Sequence, residues 1–238
     1  MAGHSKWANI KHRKEKADAQ KGKLFTRAAK EIISAVKVGG PDPKSNTRLR
    51  LAILKARACN MPSDNIERNI KKASSPDQAD FSSFTYEFYG YGGVGIIVEG
   101  MTDNKNRTSS DMRIATNKKG GTIAQPGSVA FNFDRKGVIQ VARGNLTEDA
   151  LFQAVLDAGA EDFEAAPEGF MVVTDPTSLY EVKEQLDGLG IKCEEAEIEM
   201  IPKTQIACSE EEKTNNLALI EWLEELDDVN AVYHNMEL

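Results

Sequence analysis

GVIQVARGNLTEDALFQAVLDAGAEDFEAAPEGFMVVTDPTSLYEVKEQLDGLGIKCEEAEIEMI, residues 137–201, decides the fold. Its periodicity changes in a fixed order. VIQVAR is a short β-branched run, and TEDALFQAVLDAG has an apolar stripe at helical spacing. AEDFEA and GFMVVTD are strand-like, PTSLYEVKEQLDGLG is helical, and CEEAEIEMI closes the stretch as a strand. The result is β-α-β-β-α-β, the ferredoxin-like order, complete in itself. Asp134-Arg135-Lys136-Gly137 before it reads as a hairpin turn, and Pro202 follows it.

On the N-terminal side, FTYEFYG (84–90) and VGIIVEGM (94–101) read as strands by their aromatic and β-branched content. A helix is expected from about Arg107 to Lys118, and SVAFNF (128–133) reads as a strand. On the C-terminal side, TQIAC, KTNNLALIEWLEEL and VNAVYHN read as strand, amphipathic helix and strand. A β-α-β tail of that size is a poor domain alone, so 203–238 is expected to rejoin 80–136 with 137–202 inserted between them. SSPDQADFSS (74–83) is a turn-rich linker.

Before that linker the pattern is helical. Leu24, Ala28, Ile32 and Val36 make one stripe, and Gly39-Gly40-Pro41 stop the helix. Ser45, Asn46 or Thr47 can cap a second helix whose inner face is Leu49, Ala52, Ile53 and Ala56. Asp64 with Glu67 resembles the capping box of a third helix reaching about Ala73. The expected architecture is α+β. A helical domain spans 1–75, a discontinuous α+β domain is built from 80–136 with 203–238, and a ferredoxin-like domain is inserted at 137–202.

Charge divides along the same lines. Residues 1–75 hold 18 Lys and Arg against 6 Asp and Glu, a net of +12; the rest holds 12 against 31, a net of −19, within a whole-chain charge of −7. That asymmetry marks a part that meets a polyanion, carried on a body that does not. The candidate nucleic-acid-binding residues start in the opening stretch with His4, Lys6, Trp7, Lys11, His12, Arg13, Lys14, Lys16, Lys21 and Lys23. They continue on the outer helix faces with Arg27, Lys30, Arg48, Arg50, Lys55 and Arg57. Trp7 can stack on an unpaired base while its cationic neighbours hold phosphates, or it can pin the arm to the body.

Other function classes find little support. No apolar run approaches the roughly 20 residues a bilayer needs, and no apolar segment of a signal peptide follows the basic start. Cys59, Cys193 and Cys208 are scattered, without disulfide or metal spacing, which fits a reducing cytoplasm. Gly90, Gly92 and Gly95 match G-x-G-x-x-G, but a strand follows where a dinucleotide site needs a helix N-terminus. No nucleophile–base pair, carboxylate pair or metal cluster assembles. The expectation is no enzyme, no cofactor, no metal, no membrane and no small-molecule substrate. An unrecognised catalytic site between domains is the alternative from that class.

GHSKWANIKHRK (3–14) and DAQKGKLFTR (18–27) resemble the opening of the YebC/PmpR family. So do YGYGGVGIIVE (89–99), TDNKNRT (102–108), GSVAFNFDRKG (127–137), AGAEDFE (158–164), MIPKT (200–204) and DDVNAVYHN (227–235), which carry the resemblance to the end of the chain. Two positions depart from it. Tyr91 stands where such proteins have Pro in a Y-G-P-G-G turn, and Asn132 where an apolar residue precedes Phe133. The resemblance implies a three-domain α+β fold and a non-enzymatic role in gene expression. The family is named for probable transcriptional regulators that bind DNA. Some members resemble ribosome-associated, RNA-binding translation factors instead, including a mitochondrial activator of cytochrome oxidase synthesis. The expected partner is therefore DNA or ribosomal RNA.

Overall fold

A computed structural model of the chain describes residues 21–73, 75, 80–144, 147–166 and 169–238. Three helices come first: α1 (Lys21–Gly39), α2 (Thr47–Ala58) and α3 (Ser63–Ala73). Ala28, Ile32, Val36, Leu49, Ala52, Ala56 and Ile66 close a shared core between them. Asn46 sets the α1–α2 corner. Its side-chain oxygen accepts the Leu49 N–H at 3.0 Å, and its amide donates to the carbonyls of Ala35 and Gly40, both at 2.8 Å. One buried side chain thus caps α2 and satisfies the end of α1. Gly39 has no Cβ because one would lie 2.7 Å from that amide.

The first sheet contains β1 (Ser82–Tyr89), β2 (Gly95–Thr102), β3 (Thr122–Ile123) and β8 (Val229–His234), in the order β3-β1-β2-β8. The chain's end therefore completes a sheet begun at residue 82: β8 lies antiparallel to β2, with Val98 opposite Val232. Helices α4 (Lys105–Lys119) and α7 (Glu210–Glu225) belong with this sheet. Phe88, Ile96, Val98, Met112, Leu219, Leu223 and Val232 form its core.

The second sheet contains β4 (Phe133–Ala142), β5 (Asp162–Ala166), β6 (Gly169–Thr174) and β7 (Cys193–Pro202), in the order β5-β6-β4-β7 and antiparallel throughout. With α5 (Glu148–Asp157) and α6 (Leu179–Gly188) this is the ferredoxin-like order read from the sequence. Its own core joins Ile139, Val141, Leu151, Phe170, Val172, Leu179 and Leu186. The fold is α+β. It forms two compact units: Phe131–Gln205 with Glu237–Leu238, and the described residues through Ala130 with Ile206–Met236.

Three local expectations are corrected. SVAFNF is not a strand: residues 126–129 form a turn and Ala130–Asn132 a 3-10 turn. The buried Glu87 carboxylate causes this by accepting the backbone N–H groups of Gly127, Val129 and Ala130 at 2.6–2.8 Å, which a ladder would otherwise take. Asp134–Gly137 is not a hairpin turn either, since all four residues lie inside β4 and pair with Ile198–Ile201 of β7. Gly137 is required by close packing instead: a Cβ there would lie 2.3 Å from Thr174 Oγ1 and 2.9 Å from Leu179 Cβ. Finally, TQIAC makes a single parallel bridge, Ile206 to Met236, because the segment is used to carry the chain to Ser209, the N-cap of α7.

Candidate nucleic-acid interface

His4, Lys6, Trp7, Lys11, His12, Arg13, Lys14 and Lys16 lie outside the described residues. Lys21 opens α1. The next three cations, Lys23, Arg27 and Lys30, recur at helical spacing on one face of α1, and that face is turned into the protein. Lys23 Nζ donates to the carbonyls of Glu224 and Glu225, and Arg27 Nη2 to that of Glu224 at 3.4 Å. These carbonyls end α7, whose last turn contains no cation of its own. The α1 side chains supply the positive charge that a helix C-terminus favours.

Lys30 is buried, which corrects its expected place on an outer face. Its ammonium donates to the Asp227 carbonyl and to Asp228 Oδ1, both at 2.9 Å. Asp228 is the hub of a polar cluster. Its Oδ2 accepts Arg107 Nη2 at 2.7 Å and the Thr102 hydroxyl at 3.0 Å. The Thr108 hydroxyl lies 3.0 Å from the same oxygen and 2.8 Å from Thr102 Oγ1, so its one proton serves either. Burial alone would raise the Asp228 carboxyl; Arg107, Lys30 and Thr102 outweigh it and hold the group at about 2. In the sequence Asp227-Asp228 looks like an acidic loop, and nothing local marks its partners 120 to 198 positions away.

On α2 the cations divide. Arg48 donates to Ser34 Oγ at 3.1 Å and Lys55 pairs with Glu31 at 3.1 Å, tying α2 to α1. Arg50 and Arg57, on the opposite flank of the helix, are exposed; Arg50 touches only Thr47 of its own first turn among the contacts described. Arg68, Lys71 and Lys72 on α3 are exposed as well, and the sequence reading left them out.

The helix expected from about Arg107 to Lys118 is α4, but its cations were not among the candidate residues. KNRTSSDMRIATNKK holds five cations and one acid, inside a part of the chain whose total is strongly negative. Summing charge over the whole remainder hid it; a sliding window would have found it. Thr108, Met112 and Ala115 face the core, which leaves Asn106, Ser110, Arg113 and Asn117 on the outer face. Lys119 lies over the Trp222 ring, 5.4 Å from its centroid.

The glycine loop is a tight turn. Tyr91–Gly93 form a 3-10 turn before β2, with Gly92 and Gly93 at positive φ. Asn216 clamps it from α7: Tyr91 N–H donates to Asn216 Oδ1 at 2.8 Å, and the Asn216 amide returns a bond to the Tyr91 carbonyl at 3.1 Å. The turn is thus held firmly with Tyr91 in place of proline, which could not donate that N–H. Nothing in the structure explains Asn132. Among the described residues no group of three His, Cys, Asp or Glu could hold a metal. The Cys193 thiol is pushed up to about 12 by burial and by Asp187, so it stays protonated at neutral pH. No helix of the described residues is long and apolar enough to cross a membrane.

The fold and its surface define an α+β protein with a basic three-helix opening and two antiparallel sheets. The chain belongs to the TACO1/YebC family: the family's N-terminal domain matches residues 5–76, and its second and third domain residues 81–236. A protein of Protochlamydia amoebophila (strain UWE25) is 66% identical over 238 residues, covering 100% of this chain and 97% of its own. One of Chlamydia felis is 59% identical over 237 residues, 99% of this chain and 100% of its own. Both are named probable transcriptional regulatory proteins. The crystal structure of a conserved hypothetical protein from Aquifex aeolicus superposes with a TM-score of 0.84 at 43% identity, covering 97% of this chain and 96% of that one.

Proposed function

We propose that this protein is a non-enzymatic regulator of gene expression that binds nucleic acid through its basic N-terminal part. The observation that carries this is the charge division, +12 over residues 1–75 against −19 over the rest. With the inward-facing cations of α1 set aside, the exposed Arg50, Arg57, Arg68, Lys71 and Lys72 and the basic opening stretch still support the reading. The names of the relatives suggest transcription as the process.

RNA is the polymer the geometry favours. Residues 59–62 join α2 to α3, a length that a helix-turn-helix allows. A recognition helix presents its N-terminal residues to the groove, and the first turns of α3 present exposed Asp64 and Glu67, which phosphates repel. Unpaired RNA can instead use charge and stacking without a groove-shaped partner. The test is the triple charge reversal Lys11→Glu, Arg13→Glu, Lys14→Glu in the full chain. It is assayed by fluorescence anisotropy on a labelled 20-nucleotide single-stranded RNA and on a 20-base-pair DNA duplex. Wild type is expected to bind the RNA more tightly, with a log–log salt slope of about −0.7 per phosphate contact, and the triple variant to lose most of that affinity. Unchanged binding by the variant would refute the location, and a tighter, sequence-selective DNA complex would move the assignment to transcription.

A further inference from the structure

We infer that the outer face of α4 is a second contact surface for single-stranded RNA. This rests on the nucleic-acid reading above and extends it to a part of the chain outside the basic opening. Only 12 Lys and Arg lie beyond residue 75, and five of them are in the fifteen residues of α4. Two are used by the fold: Arg107 in the Asp228 cluster and Lys119 over Trp222. Lys105, at the helix start, is exposed; Arg113 and Lys118 are exposed as well, and none of the three has a side-chain partner among the described residues.

Beside Arg113 the outer face carries neutral polar groups, with Ile114 exposed between Arg113 and Lys118. Asn106, Ser110 and Asn117 line up with Arg113 at spacings of four, three and four, which is one helix face. Amide and hydroxyl groups beside free cations suit a sugar–phosphate backbone, and the 2′-hydroxyl adds a donor and acceptor that DNA lacks. At the C-terminal end of the helix stands Tyr91, 36% exposed, its hydroxyl 3.3 Å from the Lys119 carbonyl. An exposed ring there can stack on an unpaired base, which a closed duplex does not offer. Groove insertion is disfavoured for a further reason. Both ends of α4 are occupied, by Asp103 and Asn104 at the start and by Tyr91 at the finish, so the helix presents its side and not its tip.

Helix α1, which follows the basic opening stretch in the chain, meets α4 at Asp228. Lys30 of α1 and Arg107 of α4 share the Asp228 carboxylate. Lys21, where the described chain begins, is nine residues before Lys30 on α1, about 13 Å at 1.5 Å per residue. One RNA strand can therefore engage both surfaces, each raising the effective concentration at the other.

The experiment uses the full-length protein with the same labelled 20-nucleotide single-stranded RNA. The variant is Arg113→Gln with Lys118→Gln, and the control is Lys136→Gln with Lys183→Gln, which removes two charges from the unit 131–205. Loss of two contacts is expected to make the salt slope shallower by about 1.4, at 0.7 per contact on a single strand, and to weaken RNA binding about tenfold at low salt, with the control within about twofold of wild type. Wild-type affinity and slope in the α4 variant, while the triple reversal in residues 11–14 still abolishes binding, would overturn this inference and leave the proposed function standing. An equal loss in variant and control would reduce the effect to net charge and overturn it too. A loss confined to a 20-base-pair DNA duplex would replace RNA as the occupant. Failure of the wild type to bind either polymer would remove both proposals together.

Discussion

Asp228 couples three segments through one carboxylate. Lys30 comes from the first helix, Thr102 and Arg107 from the second strand and fourth helix, and Asp228 from the turn before the last strand. Replacing it with Asn keeps the shape and removes the charge, leaving the Lys30 ammonium, whose side chain is 11% exposed, without its counterion. Breaking a buried pair in that way costs about 3–5 kcal/mol, so Asp228→Asn is expected to lower the unfolding free energy by roughly that amount. The sign of the pH effect follows from the depressed value of about 2 in the fold. A free Asp titrates near 3.9, so the charged Asp228 contributes its full stabilisation above that pH. The contribution fades as pH falls toward 2. Denaturant melts of both proteins from pH 6 to pH 2 should show the gap between them narrowing below about pH 4. A constant gap would mean that the charge of Asp228 is not what holds the cluster.

At the scale of elements, what the sequence reveals depends on how local the cause is. The three helices, the β-α-β-β-α-β order and the long helix near the end follow from periodicity and capping residues. Asn46 caps where the pattern says a helix starts, whereas Ser209 starts the last helix at Glu210, three residues before the expected Lys213. SVAFNF has strand composition and is nonetheless a turn, because the deciding group is Glu87, forty residues earlier on β1. No window over 128–133 contains it. Glu87 itself alternates with Phe88 and reads as an outward polar position, yet it is buried. Burial would raise its carboxyl, and the three backbone donors lower it overall. Glu87→Gln leaves one acceptor oxygen and sets an amide N–H against at least one backbone N–H. A buried donor left without a partner costs about 1–3 kcal/mol. Faster amide exchange at Gly127, Val129 and Ala130, with the β2–β8 ladder still protected, is the expected outcome. Uniform loss of protection would show that the cradle is part of the global core rather than a local brace. The candidate interface follows the same division. The charge of the opening stretch is a local property and legible; that Lys23, Arg27 and Lys30 face inward depends on carbonyls and a carboxylate about 200 residues away.

The whole molecule bears on how the acidic part relates to binding. Its two units have separate apolar cores: the second sheet with α5 and α6 draws on residues 139–198, and the first sheet with α4 and α7 on residues 84–123 and 206–236. We propose that residues 131–205 are an insert that can be removed. The apparent turn at 134–137 suggested cutting at Lys136, but that cut would split β4, whose Phe133 already pairs with Pro202. The incoming and outgoing strands are ladder neighbours, and Lys203 N–H donates to the Asn132 carbonyl at 2.8 Å. The two junctions thus lie side by side, and about four Gly/Ser residues joining Ala130 to Ile206 can close the gap at little loop-closure cost. Residues 131–205 hold 6 Lys and Arg against 16 Asp and Glu, so their removal takes the chain from −7 to +3. If the phosphate contacts lie in the opening stretch and on the outer faces of α2 and α4, the excised protein keeps all of them and loses a repulsive charge. It should melt in one cooperative transition and bind the RNA probe at least as tightly as wild type, with an unchanged salt slope, since the slope counts contacts and not net charge. A shallower slope after excision would place phosphate contacts within 131–205, and a non-cooperative melt would show that the two cores depend on each other.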